Sequence, residues 1–241
     1  MANPPAPPVS TPLPHPDLWR AGHIEPSLAG IATGYVQLDA QLADGGWPRA
    51  GLMELLNTQA GIGELRLLSP ALALLSQEQR WIVWVNPPHI PYAPALTALG
   101  IDISKVLLVH PKTHAEVLWS VEQSLKSGTS SAVLAWLDET KLVARDVRRL
   151  KLAAKRGTAL AVLFRPEAAT RQASTAELRI LLHAEPTPDE LSLEILKRRG
   201  GWPTGRLQLQ LQHGIAETTR TQLRDQLSLW RARWPRHGSV H

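Results

Sequence analysis

Short apolar runs alternate with amphipathic segments between residues 51 and 166, and this alternation limits the fold more than any other feature of the sequence. The runs are rich in Val, Leu, Ile and Ala and carry few polar positions, which is typical of strands buried on both faces. They lie at residues 51–56, 81–85, 106–109, 132–137 and 159–164. Helical spacing of apolar residues follows at 65–75, 92–99, 113–127 and 142–156. The pattern predicts a mostly parallel α/β sheet with helices on both faces.

After residue 166, amphipathic helical segments no longer separate the apolar runs. Residues 178–182 and 191–196 read as an antiparallel pair across a turn at 185–189. Strict alternation at 207–211 predicts a further strand at an edge of the sheet, and residues 216–235 form a polar, basic helix candidate. We therefore expect an antiparallel extension of the parallel sheet, followed by a C-terminal helix.

Three regions are predicted along the 241 residues. Eight of the 20 prolines lie within the first 30 residues, so residues 1–30 are predicted to be a flexible leader. Residues 31–212 are predicted to form one core domain, which opens with a short helix capped by Thr33. Residues 213–241 are predicted to be a helical tail.

Composition excludes several classes of protein. The chain has no Cys, which excludes a disulfide framework and a thiolate metal site. No run approaches the length of a transmembrane helix, and the N-terminus lacks the basic and apolar parts of a secretory signal. We therefore expect a cytoplasmic protein that does not contact a membrane.

Charge is divided unevenly along the chain. Residues 1–140 carry 7 Lys or Arg against 12 Asp or Glu, whereas residues 141–241 carry 19 against 9. Lys197, Arg198 and Arg199, which precede two glycines, are candidates to contact phosphate or the acidic groups of a partner. The helix at 143–156 has a basic face opposite an apolar stripe of Val143, Val147, Leu150 and Ala154. These features favour a basic docking surface, and an ordinary solvated surface is the alternative.

Tryptophan is unusually frequent, with nine Trp against two Tyr and one Phe. Trp81, Trp84, Trp119 and Trp136 lie inside apolar patterns and are predicted to be in the core. Other tryptophans lie near the ends of elements or in the tails, among them Trp47, Trp202 and Trp230. Trp230, in the basic C-terminal helix, is a candidate interface anchor because Trp and Arg are enriched at such positions.

The loop after the first strand has the position of a nucleotide-binding phosphate loop without its charges. Phosphate loops read G-x-x-x-x-G-K-[ST], in which Lys neutralises phosphate and the hydroxyl holds Mg²⁺. Thr58, Gly61 and Gly63 keep the loop character, but Glu64 stands at the Lys position and Leu65 at the hydroxyl position. An acid repels a triphosphate and Leu cannot bind Mg²⁺, so this loop is predicted to be degenerate.

Other elements of catalytic sites are also missing. The second strand ends in Asn86 and two prolines where an acid would orient water. Asp138 follows the fourth strand and is read as the cap of a following helix in preference to a metal ligand. His110 and His114 have the spacing of zinc ligands, but Pro111 lies between them and no third ligand is evident. We expect no enzyme activity, no cofactor and no metal.

Several motifs together resemble known families. Residues 31–39 (IATGYVQLD), 45–49 (GGWPR) and 54–56 (ELL) resemble the opening of RecA recombinase cores. With its altered loop, the chain is similar to two degenerate relatives of that superfamily, the ImuA and SulA families, and residues 81–166 resemble both. Leu18, Trp19 and Arg20 and the segment 191–201, which ends LEILKRRGG, resemble ImuA.

The resemblance implies a non-catalytic role in the SOS response. ImuA-type proteins are accessory factors of translesion DNA synthesis, which act with ImuB, a Y-family polymerase relative, and with an error-prone replicative-type polymerase. RecA is a further partner that the resemblance suggests, and indirect association with DNA is favoured over direct binding. The alternative is a SulA-like inhibitor of cell division.

Overall fold

A computed structural model describes residues 29–211 of the chain. The predicted leader up to residue 28 and the predicted tail with Trp230 lie outside the described residues. Five α-helices and eight β-strands follow each other in the order α1, β1, α2, β2, α3, β3, α4, β4, α5, β5, β6, β7, β8. The helices are α1 (Val36–Asp39), α2 (Glu64–Leu75), α3 (Ala93–Ala98), α4 (His114–Lys126) and α5 (Ala144–Gly157).

All eight strands belong to one sheet, in the spatial order β3-β2-β4-β5-β1-β6-β7-β8. The strands are β1 (Leu52–Asn57), β2 (Trp81–Val85), β3 (Val106–Val109), β4 (Ser130–Trp136), β5 (Leu160–Pro166), β6 (Leu178–Ala184), β7 (Glu190–Lys197) and β8 (Leu207–Gln210). Strands β1 to β6 pair in parallel, and β7 and β8 extend the sheet antiparallel. The predicted fold class and the edge position of β8 are confirmed.

Two apolar layers hold helices on opposite faces of the sheet. Leu67, Leu68 and other residues of α2 pack on one face with Met53 and Leu55 of β1. Helices α4 and α5 pack on the other face, where Val121 and Leu150 meet the strands. Strand side chains alternate between faces, so the continuous apolar runs seen in the sequence supply both layers.

Edge strand β3 departs from the expectation of a sheet covered on both faces. Its side chains Leu107 and Leu108 are exposed although the run is wholly apolar. Strand β3 pairs only with β2, and the α4 and α5 layer lies over the strands nearer the centre of the sheet. Apolar composition therefore identified the strand but not how much of it is covered.

Several local predictions are wrong for a related reason. Trp81 is 44% exposed at the start of β2 and Trp119 is 62% exposed on α4, whereas Trp47 is buried and forms a β-bridge with Ile31. Val143 is also exposed, because it lies just before α5 at its N-cap. Periodicity predicts the element to which a side chain belongs, but the neighbouring elements decide whether that side chain is covered.

Thr33 does not cap the first helix. Helix α1 begins after Tyr35, two residues later than the prediction requires. The Thr33 hydroxyl instead accepts a hydrogen bond from the Tyr35 backbone N–H at 3.1 Å, and the Thr33 N–H donates to Asp39 Oδ1 at 2.9 Å. Thr33 thus stabilises the turn that leads into the helix.

Candidate functional site

The loop between β1 and α2 has the position of a phosphate loop, between a buried strand and the N-terminus of a helix. Thr58 and Gly61 are exposed, and Gly61 and Gly63 have φ angles of 85° and 111°. These angles lie in the left-handed region that glycine adopts without strain. Gly63 directly precedes α2, so the loop delivers backbone N–H groups to the N-terminus of that helix.

Glu64 fills this loop with its own carboxylate. Glu64 Oε1 accepts a hydrogen bond from the Gly61 N–H at 2.8 Å, and Oε2 accepts one from the Gly63 N–H at 3.2 Å. Glu64 itself is buried. Backbone N–H groups of this kind hold phosphate at helix N-termini in nucleotide-binding proteins. Glu64 therefore opposes phosphate binding in two ways. Its charge repels phosphate, as the sequence predicts, and its carboxylate also occupies the N–H groups that phosphate would need.

Apolar side chains close the space beside the loop. Leu65, at the position of the missing hydroxyl, packs against the core. A Cβ atom on Gly63 would come within 2.6 Å of Leu211 Cδ1, so Leu211 lies directly against the loop. Leu211 is buried at the end of β8, where its N–H donates to Asp189 O at 2.6 Å and its carbonyl accepts from Arg66.

Aromatic side chains stand at the carboxyl ends of the central strands. The rings of Trp136 and Phe164 stack at 4.4 Å with an interplanar angle of 9°, and Trp84 lies 5.9 Å from Trp136. Ligands of open α/β sheets usually bind outside the carboxyl ends of the strands. Here β2, β4 and β5 contribute an aromatic cluster near that edge.

Asn86 and Asp138 follow the ends of β2 and β4, and the side chains of both form hydrogen bonds within the fold. Asn86 has a φ angle of 56°, and its side-chain amide donates to Trp136 O at 3.1 Å. Asp138 Oδ1 accepts from the Thr140 hydroxyl at 2.6 Å and from the Thr140 N–H, and its other oxygen lies 3.0 Å from Lys141 Nζ. The Thr140 hydroxyl, followed by Lys141, lowers the pKa of Asp138 to about 2.

The expected role of Asp138 as a helix cap is wrong. Helix α5 begins at Ala144, with Val143 as its N-cap residue. Asp138 instead stabilises a turn, because its carbonyl oxygen accepts from the N–H groups of Lys141 and Leu142. Asp is favoured both at helix N-caps and in turns, because its side chain accepts hydrogen bonds from nearby backbone N–H groups. Here that side chain stabilises a turn.

The sequence patterns did not predict a buried cluster of charged side chains. Glu54, in the middle of β1, is fully buried and accepts hydrogen bonds from Arg165 at 2.8 Å, Arg179 at 2.7 Å and the Ser174 hydroxyl at 2.6 Å. Arg165 also donates to both oxygens of Glu139, at 3.0 and 2.5 Å. Strands β5, β1 and β6 are neighbours, which brings Arg165, Glu54 and Arg179 together, and Glu139 reaches Arg165 from the loop after β4.

The charges in this cluster support each other. Burial works against the charged form of Arg165, but the hydrogen bond with Glu139 and the charges of Glu54 and Glu139 outweigh it and raise the pKa of Arg165. A charged residue inside an otherwise apolar strand is the signal that could have found the cluster, since such a residue needs a buried partner. The cluster therefore ties together three neighbouring parallel strands, β5, β1 and β6.

The three predicted contact cations all have partners within the fold. Lys197 Nζ donates to Ser174 O at 2.8 Å, and Arg199 Nη2 lies 2.6 Å from both carboxylate oxygens of Asp44. Arg198 donates to Gln41 O and, through Nε, to Trp202 O at 3.1 Å. Burial, and then the charges of Lys151 and Arg179, lower the pKa of Lys197. Each of the three cations at the end of β7 is thus hydrogen-bonded to another part of the fold.

Helix α5 presents only part of its predicted basic face. Arg149 is paired with Glu122 of α4 at 2.6 Å, and Lys151 lies 3.6 Å from Glu177. The hydrogen bond from Lys126, followed by Arg149, lowers the pKa of Glu122 despite its partial burial. The remaining basic side chains are exposed, namely Arg145, Arg148, Lys155 and Arg156.

No group of three or more His, Asp or Glu side chains within residues 29–211 is arranged to hold a metal ion. Among the helices described, none combines the length and the apolar character that crossing a membrane requires.

Comparison with known proteins places the core of this chain in one family. The family model described as "Cell division inhibitor SulA" matches residues 53–161. SulA from Edwardsiella piscicida is 35% identical over 101 residues, and SulA from Photorhabdus laumondii is 32% identical over 114. These matches span 42% and 47% of this chain, and the chain spans only 59% and 63% of the length of those two relatives.

A third relative and two solved structures extend the comparison. SulA from Yersinia pestis is 33% identical over 119 residues, which cover 49% of this chain and 70% of that protein. The crystal structure of SulA from Pseudomonas aeruginosa has 30% identity, covers 49% of this chain and 99% of its own, and gives a TM-score of 0.40. The RadB recombinase covers 76% of this chain and 96% of its own, with a TM-score of 0.61 at 15% identity, which shows a shared RecA-like fold. The chain belongs to the SulA family.

Proposed function

We propose that this protein is a non-catalytic, partner-binding component of the SOS response. The observation that carries the proposal is the Glu64 carboxylate, which accepts the Gly61 and Gly63 N–H groups that a nucleotide phosphate would need. Leu65 adds no metal-binding hydroxyl, and Leu211 lies against the loop. The relatives that match the core are named as inhibitors of cell division, which are proteins that act on a partner.

Within that class, an ImuA-type role in translesion DNA synthesis is our main proposal. The partners would be an ImuB-type relative of the Y-family polymerases and an error-prone replicative-type polymerase, with RecA as a further partner. Support comes from residues 162–211, which lie beyond the segment that matches the SulA family model and complete the sheet with β6, β7 and β8. Indirect association with DNA is favoured because Lys197, Arg198 and Arg199 already hold partners inside the fold.

Inhibition of cell division is the second candidate. The family model that matches residues 53–161 carries that name, and so do the relatives that match 42–49% of the chain. In this case the protein would bind a component of the division machinery and block it, again without catalysis. Both candidates use the same fold and differ in the partner.

Two cellular measurements separate the candidates. We expect that deleting the gene in its own host lowers the frequency of damage-induced mutation, and that overproducing the full chain leaves cell length unchanged. We also expect the purified chain to retain an ImuB-type protein in a pull-down. Filamentous growth on overproduction, together with unchanged mutation frequency in the deletion strain, would instead establish the inhibitor and reject the translesion role.

A further inference from the structure

The turn between β7 and β8 carries a tryptophan whose side chain is exposed. Trp202 is 86% exposed, the highest exposure among the large apolar side chains of residues 29–211. A fully exposed indole forgoes the burial that makes Trp a strong contributor to cores and interfaces. Trp202 lies outside the segment that matches the SulA family model.

Arg198 fixes the position of this tryptophan. Its Nε donates to the Trp202 carbonyl at 3.1 Å, and its guanidinium also donates to Gln41 O next to α1. Gly200 has a φ angle of 67°, and a Cβ atom on Gly201 would collide with the Arg198 guanidinium. The left-handed backbone at Gly200 favours glycine, and the two hydrogen bonds of Arg198 hold the turn that carries Trp202. Such preorganisation lowers the cost of binding a partner.

The sequence on either side of Trp202 is basic. Residues 195–211 contain four cations and no Asp or Glu. Three of these cations are the internally paired Lys197, Arg198 and Arg199. The fourth, Arg206, is exposed and makes no ion pair with any residue of the described range 29–211. An exposed Trp with an unpaired Arg four residues away has the composition of an interface hot spot.

We propose that Trp202 and Arg206 form a docking surface for an acidic segment of a partner protein that also carries a large apolar side chain. This inference rests on the proposed partner-binding function and deepens it. The indole would supply the apolar contact, and Arg206 would pair with a carboxylate of the segment. Arg198 acts as a positioning residue, because its hydrogen bonds hold the turn. Charge complementarity favours an acidic protein segment over a neutral one.

The test uses the full chain and a display library of random short peptides. We expect the selected peptides to be acidic and to contain an aromatic or Leu residue. Fluorescence polarisation of a labelled, selected peptide should then show that Trp202→Ala weakens binding by about tenfold or more. Arg206→Ala should weaken it by a smaller factor and should reduce its dependence on salt. Trp119→Ala is the matched control, because Trp119 is also exposed but lies on α4.

Several results would overturn the proposal. Selected peptides without an acidic bias would do so, as would a Trp202→Ala variant that binds within about twofold of the wild type. A labelled single-stranded oligonucleotide that binds through Trp202 more tightly than any peptide would identify a nucleic acid as the ligand instead. The cellular assays remain separate. If peptides bind as expected but deletion of the gene leaves the frequency of damage-induced mutation unchanged, the translesion role is rejected. If deletion lowers that frequency but the peptide results fail, only this docking surface is rejected.

Discussion

Glu54→Gln tests whether the buried charge cluster stabilises the fold. The substitution keeps the volume of the side chain but removes the charge that faces Arg165 and Arg179, and both guanidiniums stay buried. Removing one partner of a buried ion pair costs about 3–5 kcal/mol, because the remaining charge loses its compensation. Gln retains one acceptor oxygen and Glu139 still pairs with Arg165, so we expect a loss of about 3 kcal/mol.

Urea unfolding followed by circular dichroism measures this loss directly. At about 2–4 °C per kcal/mol for a chain of this size, the melting temperature should fall by about 10 °C. Lys141→Ala is the control, because Lys141 and Asp138 form an exposed pair with side chains 62% and 40% accessible. Such pairs contribute less than about 1 kcal/mol. If Glu54→Gln costs no more than Lys141→Ala, the argument from buried charge is wrong.

Three more predictions follow from the loop, the helix pair and the basic turn. The wild-type chain should neither hydrolyse ATP nor bind a fluorescent ATP analogue, with or without DNA, because Glu64 occupies the loop; saturable micromolar binding would contradict this. The lowered pKa of Glu122 stabilises the fold above its ordinary value of 4.5, and that stability is lost as pH falls through the lowered pKa. Glu122→Gln should therefore flatten the pH dependence of urea unfolding in acid, and an unchanged profile would count against the Lys126 and Arg149 contacts. Triple Ala substitution of residues 197–199 should abolish retention of the ImuB-type partner, because it removes the hydrogen bonds that hold the turn carrying Trp202. Steep, salt-dependent DNA binding that the same variant loses would show instead that these cations contact DNA.

Much of the fold could be predicted because the parallel strands are mostly apolar runs bounded by turn residues. Strands β2 and β3 were predicted at their observed bounds. The exposure of Trp119 could not be predicted, because helical periodicity does not reveal which neighbours cover a helix. The same holds for β3, whose edge position depends on the order of the sheet.

The candidate site could also be predicted only in part. Substitution of the phosphate-loop Lys by Glu64 is visible in the sequence, but the hydrogen bonds that place its carboxylate in the loop depend on the backbone angles of Gly61 and Gly63. The partners of Glu54 lie 111 and 125 residues away in the chain, so only the strand order brings them together. Local patterns identified the loop, and long-range contacts determined the charge cluster.

The filled loop also has an evolutionary consequence. A change of Glu64 to Lys would place a cation against the N–H groups of Gly61 and Gly63, both of which are donors, and would leave the Mg²⁺ ligand absent. Introducing a hydroxyl at Leu65 would remove an apolar side chain from the core, and Leu211 would still press against Gly63. Each step is unfavourable without the others, so no single substitution leads toward nucleotide binding. Regaining nucleotide binding would therefore require several coordinated substitutions at Glu64, Leu65 and Leu211.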